Sequence, residues 1–161
     1  MATTLISTLG RLLGALIRVL GAERGRLHDV RQARRAEQVE AVTSLSVALA
    51  DHRRAMWDRQ NAVLTQAPDA RVAELREELR QTRSAVAEPA AQVALLVPAV
   101  RTAAEAAVQA TYAIRGARDL EDLKERRAAA LAAHDRMVGE MARHLDAGLP
   151  AAARGRWEVA A

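Results

Sequence analysis

Wound as a helix at about 100° per residue, the first twenty positions sort almost completely by polarity. Leu5, Ile6, Leu9, Leu12, Leu13, Leu16, Ile17, Val19 and Leu20 fall within an arc of roughly 160°. Thr4, Thr8, Arg11, Ala15 and Arg18 gather opposite them, with Gly10 and Gly14 near the boundary. The pattern predicts an amphipathic helix over 1–20. An aliphatic stripe that wide has to be covered by the protein's own core, a groove in a larger assembly, or a lipid surface.

Gly21 and Gly25 predict a loosening of the chain after this helix. A long helical segment is then expected over 22–66. Its distal half carries a heptad seam at Val42, Leu45, Leu49, His52, Met56 and Val63, with Arg59 in one position of the register. The proximal half, 31–40, is poor in apolar residues and is expected to be solvated or held by a partner. Ala67, Pro68 and Asp69 signal a turn, with Asp69 placed to cap the next helix. Val72, Leu75, Leu79, Thr82 and Val86 keep a 3,4 rhythm over 70–87, and Pro89 is expected to end or kink that helix. Val93, Val97, Val100, Ala104, Ala107, Thr111 and Ile114 continue the rhythm, with a bend rather than a loop at Pro98. A last helix is expected over 117–147, bounded by Gly116 and Gly148, with Leu120, Leu123, Leu131, His134, Val138, Met141 and Leu145 facing inward.

No strand signal interrupts this pattern, so the fold class is all-α. Segment 22–66 would span about 67 Å at 1.5 Å per residue, and 69–115 taken as one kinked arm would nearly match it. These lengths predict an elongated antiparallel bundle or coiled-coil hairpin over 22–147, preceded by the amphipathic helix and followed by a tail over 148–161. Composition sharpens the picture of the core. Alanine occurs 38 times, phenylalanine is absent, and aromatic residues make up 2% of the chain, so aliphatic methyls must fill the interior. Alanine lets helix backbones approach closely and has the best helix propensity.

The net charge of +4 is unevenly placed. Residues 1–35 hold seven arginines against Glu23 and Asp29, a balance of +5, which leaves −1 for the remainder. A basic excess beside an apolar stripe fits an anionic surface. Arg24, Arg31 and Arg35 lie on one helical side; a solvated face is the ordinary reading of this basic stretch, and phosphates of lipid headgroups or of nucleic acid are the alternatives. Nucleic acid is disfavoured, because no helix-turn-helix, zinc finger or stacking aromatic accompanies them.

Candidate chemistry is sparse. The chain has no cysteine, which removes disulfides and thiolate sites, and its histidines lack the Glu-x-x-His or His-Glu-x-x-His spacings of metal sites. His52 and His134 fall on seams, where a hydrogen-bonded core histidine is the ordinary outcome. Glu140 and His144 are spaced as a surface pair. No serine stands in a Gly-x-Ser-x-Gly turn, and the single lysine, Lys124, is not in a phosphate-binding loop. Arg118, Asp122 and Arg126 form an i,i+4 ladder expected on an outer face. Trp57 is expected at the rim of the core, and Trp157 could pin the C-terminus to a neighbouring subunit.

The expectation is therefore a non-enzymatic interaction or scaffold protein with no catalytic, cofactor or metal site. Leu5, Leu9, Leu12, Leu13, Leu16, Ile17 and Leu20, with Arg11, Arg18, Arg24, Arg31 and Arg35, are the candidate contacts to a membrane or partner. Val93, Val97, Val100, Ala104, Ala107 and Ile114 are the candidates for self-association into a homo-oligomer. The chain would work in the cytoplasm, at the inner membrane face or within a particle. The alternatives are a structural subunit of a phage or bacterial particle and a membrane-inserting helical effector.

Overall fold

A computed structural model describes the backbone of residues 2–147 and the side chains of residues 29–147; the tail over 148–161, Trp157 included, lies outside the described residues. The fold is all-α, with no strand among the described residues. It comprises α1 (Ala2–Leu64), α2 (Asp69–Leu96), a 3₁₀ turn (Pro98–Val100), α3 (Arg101–Ala113), a second 3₁₀ turn (Ile114–Gly116) and α4 (Leu120–Ala147). The chain divides into two compact units, Met1–Glu37 and Gln38–Ala161.

The first helix runs through Gly21 and Gly25 without a break, so the loosening expected there is absent. Two glycines weaken a helix by about 1 kcal/mol each, which the rest of so long a helix absorbs. The turn after α1 is built on Gln66, whose φ of 55° is left-handed. Ala67 donates to the Ala62 carbonyl at 2.9 Å across it, the crossing bond of a Schellman cap. Glycine usually fills that position. α2 then starts at Asp69, with Pro68 as its unassisted cap residue, so Asp69 does not take the capping role expected of it.

The bend expected at Pro98 forms, whereas Pro89 does not end its helix. α2 continues through Pro89, held in place by the buried Val86 and Val93 on either side. Pro98, in contrast, ends the helix. Val97 leaves helical geometry (φ −133°, ψ 65°), as a residue preceding proline tends to, and the chain bends by 115° between Asp69–Leu96 and Pro98–Gly116. The single kinked arm over 69–115 is thus two helices folded against each other.

The second unit's main core joins Leu45 and Leu49 of α1, Val86 and Val93 of α2, Val97 and Val100 at the bend, Ala104 and Ala107 of α3, and Met137 and Met141 of α4. A smaller cluster joins Met56, Ile114, Ala117, Leu123 and Ala130. The seam of α1 is buried as read at Val42, Leu45, Leu49, His52 and Met56, but Val63 is 39% exposed. The inner face of α4 is as read at Leu123 and Met141 but differs between them. Leu123, Ala130, Ala133, Met137 and Met141 are buried, whereas Leu120, Leu131 and Val138 are exposed. Alanines at the contact let α3 lie close along α4, and the bulkier leucines flank it instead.

Candidate functional site

The candidate attachment segment belongs to the first unit. Because α1 is helical from Ala2 onward, its positions keep one phase from the aliphatic arc into the basic stretch. At about 100° per residue, positions 24, 31 and 35 fall inside the same arc of roughly 160° as Leu5 to Leu20. Arg11 and Arg18 occupy the opposite, polar side. The side chains of residues 5–24 lie outside the described residues. Beyond them, Asp29, Arg31 and Arg34 are exposed, Val30 is 65% exposed, and Arg35 is half-buried. The stretch read as solvated is therefore open to solvent at these positions.

The structure does not support the expected self-association face. Val93, Val97, Val100 and Ile114 are fully buried within one chain, as is Ala107, and Ala104 is nearly so. The bend at Val97–Pro98 brings these residues against α1 and α4, leaving that surface covered before a second copy could reach it.

Polar groups in the second unit tie its helices together. His52 is 1% exposed; its Nδ1 lies 3.0 Å from Thr82 Oγ1 of α2, and its ring meets Tyr112 of α3 edge-on at 5.3 Å. Burial first, and the nearby Arg83 guanidinium second, pull its pKa from 6.5 to about 4. Gln60 Nε2 donates to the Ala117 carbonyl at 2.9 Å, and Gln38 Nε2 donates to the Leu96 carbonyl at 2.9 Å. These two bridges were not legible in the sequence, because nothing in a helical pattern marks a glutamine as inward-facing.

The Arg118–Asp122–Arg126 ladder forms, but it reaches inward as well. Arg126 Nε donates to Asp122 Oδ1 at 2.7 Å while its Nη1 donates to the Ala113 carbonyl at 3.0 Å, linking α4 to the end of α3. Hydrogen bonds to Asp122, from the Arg126 side chain first and from the Arg118 backbone and side chain next, hold its carboxyl down at about 2. Trp57 is half-buried at the rim, as expected, and the Arg127 guanidinium lies 4.9 Å from its ring centroid. Glu140 stands 4.0 Å from Arg143, three residues on, so its ion pair is not with His144. His134, partly buried, lies 3.4 Å from Asp135. Among the described residues, no single helix is long and apolar enough to cross a membrane.

Comparison with known proteins places these features in context. Residues 39–145 match the family described as KilB plasmid transfer protein. Protein KilB of Streptomyces lividans is 42% identical over 147 residues, covering 91% of this chain and 100% of the relative. No solved structure matches.

Proposed function

The chain belongs to the KilB plasmid transfer protein family, and from that premise we propose that it serves plasmid transfer as a non-enzymatic helical protein attached through its first twenty residues to an anionic membrane surface. It would sit at the cytoplasmic face of the inner membrane and present its folded second unit to protein partners of the transfer apparatus. The observation carrying this reading is the phase of α1. On one uninterrupted helix, positions 24, 31 and 35 share a phase with the positions of the aliphatic arc over 5–20, which supports the reading. A helix lying in the interface gains from buried apolar area and from attraction to acidic headgroups together. The family match begins only at residue 39, and the 42% identical relative spans most of the chain.

Co-sedimentation with vesicles tests the proposal. The full chain should bind phosphatidylglycerol vesicles more strongly than phosphatidylcholine vesicles. A Leu9→Asp, Leu13→Asp, Leu16→Asp variant should lose binding while keeping its helical circular dichroism. Equal binding by both proteins would overturn the reading. Loss of folding in the variant would assign the stripe to the protein's own core or a particle interface, and release of a vesicle-entrapped dye would point to a membrane-inserting effector.

A further inference from the structure

Within the second unit, all four helices and the turn before α4 contribute to an open cavity of about 410 Å³, lined by His52, Met56, Arg83, Tyr112, Arg115 and Arg126 among others. That volume lies in the range of small-molecule sites, which runs from roughly 300 to 1,000 Å³. No acidic residue is among the lining residues, although three arginines are, of which Arg83 and Arg115 are exposed. Arg126 is engaged by Asp122 and by the Ala113 carbonyl. Arg83 lies over the Tyr112 ring at 5.6 Å, and among the described residues neither it nor Arg115 is in an ion pair. Two exposed cations outside any ion pair, beside a third, give the cavity a positive rim that suits a multivalent anion.

His52 supplies the second, independent observation. It lines the cavity, it is 1% exposed, and its Nε2 is buried with no hydrogen-bond partner. Thr82 Oγ1 lies 3.2 Å from the Leu79 carbonyl and 3.3 Å from that of Glu78, so its hydrogen is directed to the backbone. The hydroxyl oxygen is then the acceptor for His52 Nδ1–H, and Nε2 keeps a bare lone pair. A buried acceptor left unmet is costly, and the group that meets it must be a donor.

We propose that this cavity binds a small hydroxylated phosphomonoester, with Arg83, Arg115 and Arg126 around its phosphoryl group and a hydroxyl donating to His52 Nε2. A phosphomonoester carries between one and two negative charges at neutral pH, a better match to these cations than a single carboxylate. The apolar Met56 and Leu79 leave room for a compact carbon skeleton between the two polar ends. The assignment is independent of the N-terminal attachment.

Isothermal titration calorimetry of the full chain with ribose 5-phosphate tests it, with ribose, inorganic phosphate and glycerophosphoglycerol as comparisons. Ribose 5-phosphate should bind saturably at one site, at least about tenfold tighter than inorganic phosphate, and ribose should give no binding heat. Arg83→Ala and Arg115→Ala should each weaken binding about tenfold or more; Arg115 is exposed, so its loss leaves the fold in place. The His52 Nε2 nitrogen resonance should move on saturation. Absence of ribose 5-phosphate binding, unchanged affinity in both arginine variants, or a ribose 5-phosphate affinity no better than that of inorganic phosphate would overturn the proposal. Tighter binding of glycerophosphoglycerol, a deacylated lipid headgroup, would overturn the assignment to a free phosphomonoester.

Discussion

The buried imidazole of His52 makes the stability of the second unit depend on pH in a window of its own. In the folded protein burial holds this ring's pKa at about 4, against an ordinary 6.5 for an unfolded chain. Between those values the unfolded state binds a proton that the folded state does not, so stability rises with pH there. The contribution is fully present above pH 6.5 and is lost as pH falls through 6.5 towards 4; below that it changes no further. From pH 7 to pH 5 the loss comes to about 2 kcal/mol. Asp122, held at about 2 against an ordinary 3.8, acts in the same direction but only below pH 4, so the two effects separate. Urea unfolding at pH 7 and pH 5, followed by circular dichroism, measures the term in the difference between the native chain and His52→Leu. The other histidines are common to both proteins and cancel. The native chain should lose about 2 kcal/mol more than the variant on going to pH 5. Equal losses would refute the reasoning. Nitrogen-detected titration of the native protein provides the same test without substitution, since the His52 ring should stay neutral at pH 5.

Three further predictions probe local structure. Pro89→Ala restores an N–H within α2 and should stabilise the protein by about 1–3 kcal/mol in denaturant unfolding; destabilisation would mean the ring is needed for packing. Gln66→Gly relieves the left-handed residue after α1 and should raise stability by about 1 kcal/mol, seen as a higher melting temperature. Asp119 Oδ1 accepts from the Glu121 and Asp122 amides at 3.0 and 2.8 Å, so Asp119→Ala should cost about 1 kcal/mol while Asp119→Asn costs much less, in the same unfolding assay.

The seam of α1 was legible because Val42, Leu45, Leu49, His52 and Met56 hold one heptad register within an unbroken helix. The inward face of α4 was legible only at Leu123 and Met141, because hydrophobicity ranks Leu131 and Val138 above Ala130 and Ala133. Close helix approach selects the small residues instead. Pro89 and Pro98 carry the same local signal, and only the packing of Val97 and Val100 into the core decides which one turns the chain. The turn at Gln66 lacks the glycine that would announce it. The same fold-back explains why the 93–114 face, readable as an apolar stripe, lies inside the chain rather than between copies. For the proposed attachment segment, the polarity pattern of residues 5–20 is plain in the sequence. Its alignment with Arg24, Arg31 and Arg35 rests on α1 running through Gly21 and Gly25, which sequence alone argues against. The arginine-rimmed cavity left no trace in the sequence, since its residues come from separate helices.

The proposed attachment of the first helix is tested most directly by cysteine scanning over positions 4–20, made clean by the absence of any native cysteine. A polarity-sensitive fluorophore at each position in turn would report its surroundings as phosphatidylglycerol vesicles are added. Emission should shift to the blue at positions 5, 9, 12, 13, 16 and 20 and stay unchanged at 4, 8, 11, 15 and 18, giving a helical period. A uniform response along the segment, or none at any position, would contradict the account.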